Sequence, residues 1–247
     1  LITTGGSGGH VIPATILYDH LSKEANVTIS TDKRGSRYLD KDNYKYNIID
    51  TPKLKSIFFL PLNLILILIL TFKSFFLLKN RKIEKIISTG GYMSVPLILA
   101  AKLLNLKIYL LEPNLVLGRA NKYFLKSCIK IFCYTEQVRN FPKNLKNKME
   151  IIQPLVKKNI YKLNQSFVNK DKFNLLIVGG SQGANIFDKN LKNSVVNISK
   201  KFSIKVTQQT NEKNISDLSD FYYKNNIENT IFIFNKNFSN ILQQADL

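Results

Sequence analysis

Four glycines fall within five positions of Thr4-Gly5-Gly6-Ser7-Gly8-Gly9-His10, and no other stretch of the chain restricts its folding as much. A short apolar start, Leu1-Ile2, precedes them. Val11-Ile12-Pro13-Ala14-Thr15-Ile16-Leu17 follows with the apolar spacing of a buried helix face. The order is strand, glycine loop, helix N-terminus. Without Cβ atoms, such a loop lets its backbone N–H groups close on a phosphate or pyrophosphate, and the helix dipole favours the negative charge.

The arrangement recurs. Leu175-Leu176-Ile177-Val178-Gly179-Gly180-Ser181-Gln182-Gly183-Ala184 again runs from an apolar strand through a Gly-Gly-Ser turn into a helix, and Ser88-Thr89-Gly90-Gly91-Tyr92-Met93-Ser94 offers a third loop between them. One glycine turn would follow from steric need alone. Two similar loops opening separate α/β segments point to two Rossmann-like halves facing each other across a cleft.

The rest of the chain alternates accordingly. Strands are expected at 26–31, 45–49, 83–88, 107–112, 129–134 and 149–154, with helices through Leu21, from Val95 to Leu104 and around 118–127. Such alternation makes a parallel, doubly wound sheet over residues 1–156. Residues 157–172 are polar and lysine-rich and read as a linker, and residues 173–247, with a strand to Val178 and then one helix through about Ile198, form part of a second Rossmann-like domain. The chain opens without methionine and stops at Gln244-Ala245-Asp246-Leu247, which reads as a fragment. With the first strand at its very start, it leaves no place for a signal peptide.

Asp32 ends the second strand, where a dinucleotide dehydrogenase holds its ribose. After Gly6 and Gly8, however, the third fingerprint position is Val11, so Asp32 reads as a surface loop acid. Cys128 and Cys133 lie near no histidine and read as free, buried thiols of a reducing compartment rather than as a zinc site or a disulfide framework. The formal charge of +19 fits an anionic membrane surface. It fits equally a set of scattered, solvated lysines, and no nucleic-acid-binding motif accompanies it.

The segment from Lys55 to Lys79 is almost continuously apolar, with Pro61, Asn63 and Lys73 as its interruptions. A membrane span needs roughly 20 apolar residues. A core helix leaves more apolar surface than one sheet covers. Flanking lysines and clustered phenylalanines favour a helix lying in a bilayer interface over both alternatives.

In their order and spacing, the three glycine loops closely resemble those of the MurG family, N-acetylglucosaminyltransferases of GT-B fold that convert lipid I to lipid II in peptidoglycan synthesis. Glu112 and Asn114 match that family's His-Glu-Gln-Asn segment, Asn121-Lys122 its following helix and Ala245-Asp246 its later segment, so the resemblance runs along all 247 residues. It implies two Rossmann-like doubly wound domains, the second incomplete in this chain. The first would hold the undecaprenyl-pyrophosphoryl acceptor and the second UDP-N-acetylglucosamine.

By this resemblance Ser7, Gly8, Gly9, Asn114 and Ser181 contact the donor, and Gly5, Gly6, Gly90, Gly91 and Tyr92 the acceptor pyrophosphate. His10 is the candidate general base, a role typically worth 10²–10⁴ in rate, with a structural histidine as its alternative. His20 reads as structural. Ile57, Phe58, Phe59, Ile67, Phe75 and Phe76 would meet the cytoplasmic face of the bacterial inner membrane, to which the enzyme is attached peripherally. The reaction implied by the resemblance is a single inverting displacement without cofactor or metal.

Two departures stand out. The family's Asn-Pro-Val-Arg is Gln153-Pro154-Leu155-Val156 here, so the arginine that reaches the donor phosphates is missing, with Lys157 or Lys158 as a substitute point charge. His-Glu-Gln-Asn is Leu111-Glu112-Pro113-Asn114. The competing readings are a non-catalytic module that captures a lipid pyrophosphate and a related GT-B lipid-linked glycosyltransferase, with a nicotinamide dehydrogenase further off.

Overall fold

In the computed structural model the described residues are 1–51, 60–157, 160, 171–179, 185–233, 235 and 238–247. They form two compact units, Leu1–Val156 and Lys157–Leu247.

In the first unit, seven strands make one sheet: β1 (Ile2–Thr3), β2 (Ile29–Thr31), β3 (Tyr46–Ile48), β4 (Lys85–Ser88), β5 (Lys107–Glu112), β6 (Lys130–Cys133) and β7 (Met149–Ile151). Every pairing is parallel and the order is β3-β2-β1-β4-β5-β6-β7. Among the described residues four α-helices lie between them: α1 (Gly8–Leu21), α2 (Leu60–Asn80), α3 (Val95–Leu103) and α4 (Arg119–Phe124). Neighbouring side chains on a strand point to opposite faces. Ile86 accordingly packs with Leu78, Leu97 and Phe124, while Ile87 packs with Ile2, Val11 and Ile29. Both faces of the sheet are therefore covered, and its central strands read as apolar runs.

The strand order reverses at β1, whose neighbours are β2 and β4. At such a switch point a crevice opens beyond the carboxyl ends of the strands. The first glycine loop leaves β1 and the loop at 88–94, second in chain order, leaves β4, so the topology brings them side by side.

The side-chain pattern of α2 is inverted. Asn63, Ile67, Thr71, Ser74 and Leu78, three or four positions apart, are its buried stripe against α3. Three of these five are polar. The Thr71 hydroxyl donates to the Ile67 carbonyl at 2.8 Å, and the buried Ser74 hydroxyl has no partner among the described residues. The outward face carries Leu62, Leu64, Ile65, Leu68, Ile69, Phe72 and Phe76, with Phe72 66% exposed. An amphipathic helix of a water-soluble domain is built the other way round.

This corrects two expected membrane contacts. Ile67 is only 9% exposed because it lies on the packed stripe, and Phe75 is half-buried against the core. Phe76 is exposed as required, whereas Ile57, Phe58 and Phe59 lie outside the described residues. Pro61–Asn80 is long and apolar enough, by length and composition, to cross a membrane.

The second unit holds a parallel sheet of β8 (Phe173–Ile177), β9 (Ile204–Gln209) and β10 (Glu228–Phe232), in the order β10-β9-β8. Val206, Leu218 and Tyr222 centre its core. The helix expected to run unbroken to Ile198 is two, Asn185–Asn190 and Lys192–Ser199. Asp188 on the first of these is buried and accepts from Gln208 Nε2 at 2.9 Å, Thr210 Oγ1 at 2.6 Å and Asn214 Nδ2 at 2.8 Å.

Candidate functional site

The first glycine loop is tied down by an acid. Oδ1 of Asp32 accepts from the amides of Gly6 and Gly35, both at 2.8 Å, and Oδ2 accepts from Arg34 Nε at 3.0 Å. Asp32 is 1% exposed, so it is not a surface loop acid, and its carboxylate is not open to a ribose hydroxyl. It fixes the turn in which Gly6 takes φ +84°, a region that only glycine enters at little cost. Gly5 has no room for a side chain, because a Cβ would stand 2.8 Å from Asp32 Oδ1 and 2.9 Å from Met93 Cγ.

Beyond this turn α1 starts at Gly8, with Ser7 extended and making no side-chain cap. The His10 and Val11 amides reach the Ser7 carbonyl at 3.1 Å. Those of Gly8 and Gly9 donate to nothing among the described residues, leaving two N–H groups at the positive end of a 14-residue helix.

The second loop is shaped around His10. Its Nδ1 lies 2.7 Å from the Thr89 carbonyl oxygen. A carbonyl only accepts, so in the neutral ring Nδ1 carries the proton and Nε2 keeps a lone pair. That nitrogen has no hydrogen-bond partner among the described residues. Gly90 and Gly91 adopt φ +95° and +85°, and a Cβ on Gly90 would stand 3.1 Å from His10 Cε1. The glycines thus give the imidazole a flat seat. Thr89 Oγ1 also donates to Thr4 Oγ1 at 2.7 Å, tying loop to loop.

Tyr92, next in the second loop, accepts a hydrogen bond at its hydroxyl from Arg34 Nη2, and the guanidinium carbon lies 5.6 Å from its ring centroid. Burial raises the Tyr92 pKa, opposed by the neighbouring Arg34 charge.

A third group stands at the end of β5. Glu112 is 2% exposed, yet no cation meets it among the described residues. Four donors satisfy it instead. Its Oε1 accepts from Asn114 N at 3.2 Å and Asn114 Nδ2 at 3.0 Å, and its Oε2 from Gly118 N at 2.7 Å and Asn121 Nδ2 at 3.0 Å. Asn121 Nδ2 would also lie 3.6 Å from a Cβ on Gly90, so this cluster backs the second loop. Burial first, and then the Glu112 charge, push the Cys133 thiol up to about 11; Cys133 and Cys128 are both free and buried.

Comparison with known proteins turns this geometry into a family assignment. Residues 1–133 match the glycosyltransferase family 28 N-terminal domain and residues 174–247 its C-terminal domain. The chain belongs to glycosyltransferase family 28. A family 28 relative from Pelagibacter ubique, named UDP-N-acetylglucosamine--N-acetylmuramyl-(pentapeptide) pyrophosphoryl-undecaprenol N-acetylglucosamine transferase, is 46% identical over 248 residues, which cover 100% of this chain and 70% of the relative.

Two solved structures share the GT-B fold. MurG of Acinetobacter baumannii superposes with TM-score 0.68 at 21% identity, covering 99% of this chain and 71% of that one. A UDP-GlcNAc 2-epimerase from Neisseria meningitidis bound to UDP-GlcNAc does so with TM-score 0.69 at 14% identity, covering 99% and 75%. An epimerase and a transferase thus share one architecture, so the fold by itself does not fix the activity.

Of the residues anticipated from sequence, Gly5, Gly6, Ser7, Gly8, Gly9, His10, Gly90, Gly91 and Tyr92 gather at the β1/β4 switch point, and Asn114 stands behind them on Glu112. Ser181 and Lys158 lie outside the described residues. His20 is exposed in the last turn of α1. In the segment that replaces the missing arginine, the Leu155 amide donates to Tyr134 Oη at 3.2 Å. Sequence reasoning missed Asp32 and Arg34. The only available signal was an acid followed by a basic pair directly after a β-branched strand. A larger cavity of about 910 Å³ is lined by Leu1, Thr28 and Lys85 at the opposite, amino end of the strands, away from the glycine loops.

Proposed function

We propose that this protein transfers N-acetylglucosamine from UDP-N-acetylglucosamine to the undecaprenyl-pyrophosphoryl acceptor lipid I, giving lipid II for peptidoglycan synthesis and hence for cell shape and division. The observation that carries this reading is the 46% identity, over the whole chain, to a relative named for that transfer. The site supplies groups of the kind it requires.

In this reading the neutral His10 takes the proton of the acceptor sugar's 4-hydroxyl at Nε2. The oxygen then bonds to the anomeric carbon of N-acetylglucosamine with inversion, while the bond from that carbon to the diphosphate breaks and UDP leaves. The Thr89 carbonyl stabilises the imidazolium so formed, because Nδ1–H already points at it. Fixed N–H donors suit the charge that develops on the diphosphates. We assign those of Gly8 and Gly9 to the donor, together with the residues Asn114 and Ser181. Gly5, Gly6, Gly90, Gly91 and Tyr92 are assigned to the acceptor pyrophosphate.

The same reading places the protein peripherally on the cytoplasmic face of the bacterial inner membrane. The support is the inverted pattern of α2, which turns Phe72 and Phe76 outward and Asn63, Thr71 and Ser74 inward. A face of this kind is at rest only against another apolar phase.

The deciding experiment supplies the full-length protein with radiolabelled UDP-N-acetylglucosamine and a lipid I analogue. Label is expected in the lipid product. Absence of label with the lipid pyrophosphate still bound would replace the transferase by a capture module.

A further inference from the structure

His10 Nδ1 leans on the carbonyl of Thr89, so the peptide unit joining Thr89 to Gly90 decides which ring nitrogen carries the proton. Carbonyl and N–H point in opposite directions across one peptide plane. Turning that plane over would swing the carbonyl away from His10 and bring the Gly90 N–H round in its place. An N–H only donates, so Nδ1 would have to accept and the proton would move to Nε2. The basic atom of the reaction would then be a donor.

The glycines offer little resistance to such a turn. Gly90 stands at φ +95° and Gly91 at +85°, and glycine populates positive and negative φ about equally. The plane has to be held from outside.

Buried hydroxyls hold it. Ser88 Oγ accepts from the Gly90 N–H at 3.2 Å, so the plane is gripped at both polar ends, the carbonyl by His10 and the amide by Ser88. Thr89 is fixed on its other side, because its amide donates to the Thr3 carbonyl at 3.0 Å and its Oγ1 donates to Thr4 Oγ1 at 2.7 Å. Thr4, Ser88 and Thr89 are all fully buried, so solvent does not compete for these bonds. The sheet puts them there: Ser88, the last residue of β4, pairs in register with Thr3 of β1, which brings the two loop entries level.

We infer that Ser88 is a positioning residue for the transfer: its hydroxyl latches the Thr89–Gly90 peptide in the orientation that keeps the proton on His10 Nδ1 and the lone pair on Nε2. Being fully buried, Ser88 acts through His10 and not on a substrate. The inference rests on the reading of His10 as the base and adds what fixes its tautomer.

Nitrogen NMR on the full-length protein with isotope-labelled histidine tests the latch, since the protonated ring nitrogen is identified by its attached hydrogen. Comparison with His10→Asn assigns the signals. In the wild type the hydrogen is expected on Nδ1 of His10 at mildly alkaline pH. Ser88→Ala should transfer part of that signal to Nε2. It should also lower kcat about three- to tenfold, the worth of one hydrogen bond, with the KM for UDP-N-acetylglucosamine unchanged. Ser88→Thr keeps the hydroxyl and should restore both. Ser30→Ala removes another buried hydroxyl from the same level of the sheet, one without a partner among the described residues, and should change neither.

A proton that stays wholly on Nδ1 in Ser88→Ala overturns the latch, as does a Ser30→Ala protein that behaves like Ser88→Ala or a folded Ser88→Thr protein without recovery. A shifted tautomer with unchanged kcat would end the reading of His10 as the base and leave the latch standing. A lower kcat with the proton still on Nδ1 does the reverse.

Discussion

The imidazole of His10 and the carbonyl of Thr89, 79 residues apart in the chain, meet at 2.7 Å across two glycine loops. This contact sets the tautomer, and the tautomer leaves Nε2 as the basic atom. His10→Ala should lower kcat roughly 10²–10⁴-fold, the usual worth of a positioned base. His10→Asn keeps a donor for Thr89 but no base. A purely structural histidine would be rescued by asparagine, so recovery of kcat in that variant would refute the base.

Gly90 combines φ +95° with the seat of the His10 ring. Gly90→Ala should cost about 1–3 kcal/mol of stability through backbone strain. It should also lower kcat by displacing the imidazole, with little change in the KM for UDP-N-acetylglucosamine. Wild-type kcat in a folded Gly90→Ala protein would contradict the seat.

Asp32 serves two amides and a guanidinium from a position that is 1% exposed. Asp32→Ala strands the Gly6 and Gly35 amides, and denaturant unfolding of the first unit should report a loss of about 3 kcal/mol. Asp32→Asn should fall between the two, because its amide oxygen can still accept while its NH₂ opposes Arg34. A loss below about 1 kcal/mol for the alanine variant would show that the loop holds its shape unaided.

For α2 the two faces should respond oppositely. Leu68→Asp with Phe72→Asp alters only outward positions, so the protein should stay folded while flotation on phosphatidylglycerol vesicles disappears. Ile67→Asp buries a carboxylate against α3 and should unfold the unit. Persistent flotation of the double variant would remove the membrane face.

In the second unit Tyr222 is fully buried and donates to Gln208 Oε1 at 2.8 Å. Burial, reinforced by the Asp188 charge, pushes its phenol from 10 up to about 12. The folded form therefore favours the neutral phenol, and this contribution is complete below pH 10 and lost as pH rises towards 12. Every tenfold gain in proton affinity on folding is worth about 1.4 kcal/mol. Tyr222→Phe should weaken the unit by about 1–3 kcal/mol at neutral pH, since Gln208 loses its donor, and should flatten the alkaline loss. An alkaline profile identical in both proteins would exclude Tyr222 as its source.

Much of this protein is legible without coordinates, and the reason is local. Glycine spacing encodes turns that other residues cannot make, as at Gly6, Gly90 and Gly91, and a period of two or of three to four residues encodes strands and helices. That information placed glycine loops directly after β1 and β4, whereas His10 was marked by the family resemblance and its place between the loops came from the fold. The break at Leu191 had no comparable local signal, so one helix was expected where two stand.

Distant contacts decided the rest. Whether Asp32 is a surface acid or the anchor of a loop depends on Gly6, 26 positions away. Whether Ile67 or Phe72 faces outward depends on where α3 packs, because an almost uniformly apolar helix carries no stripe of its own. Local pattern alone set the strands, the helices and the glycine turns with the residues beside them. Folding settled which of them are buried, paired or free, because burial and pairing are properties of neighbours that the chain brings together only in three dimensions.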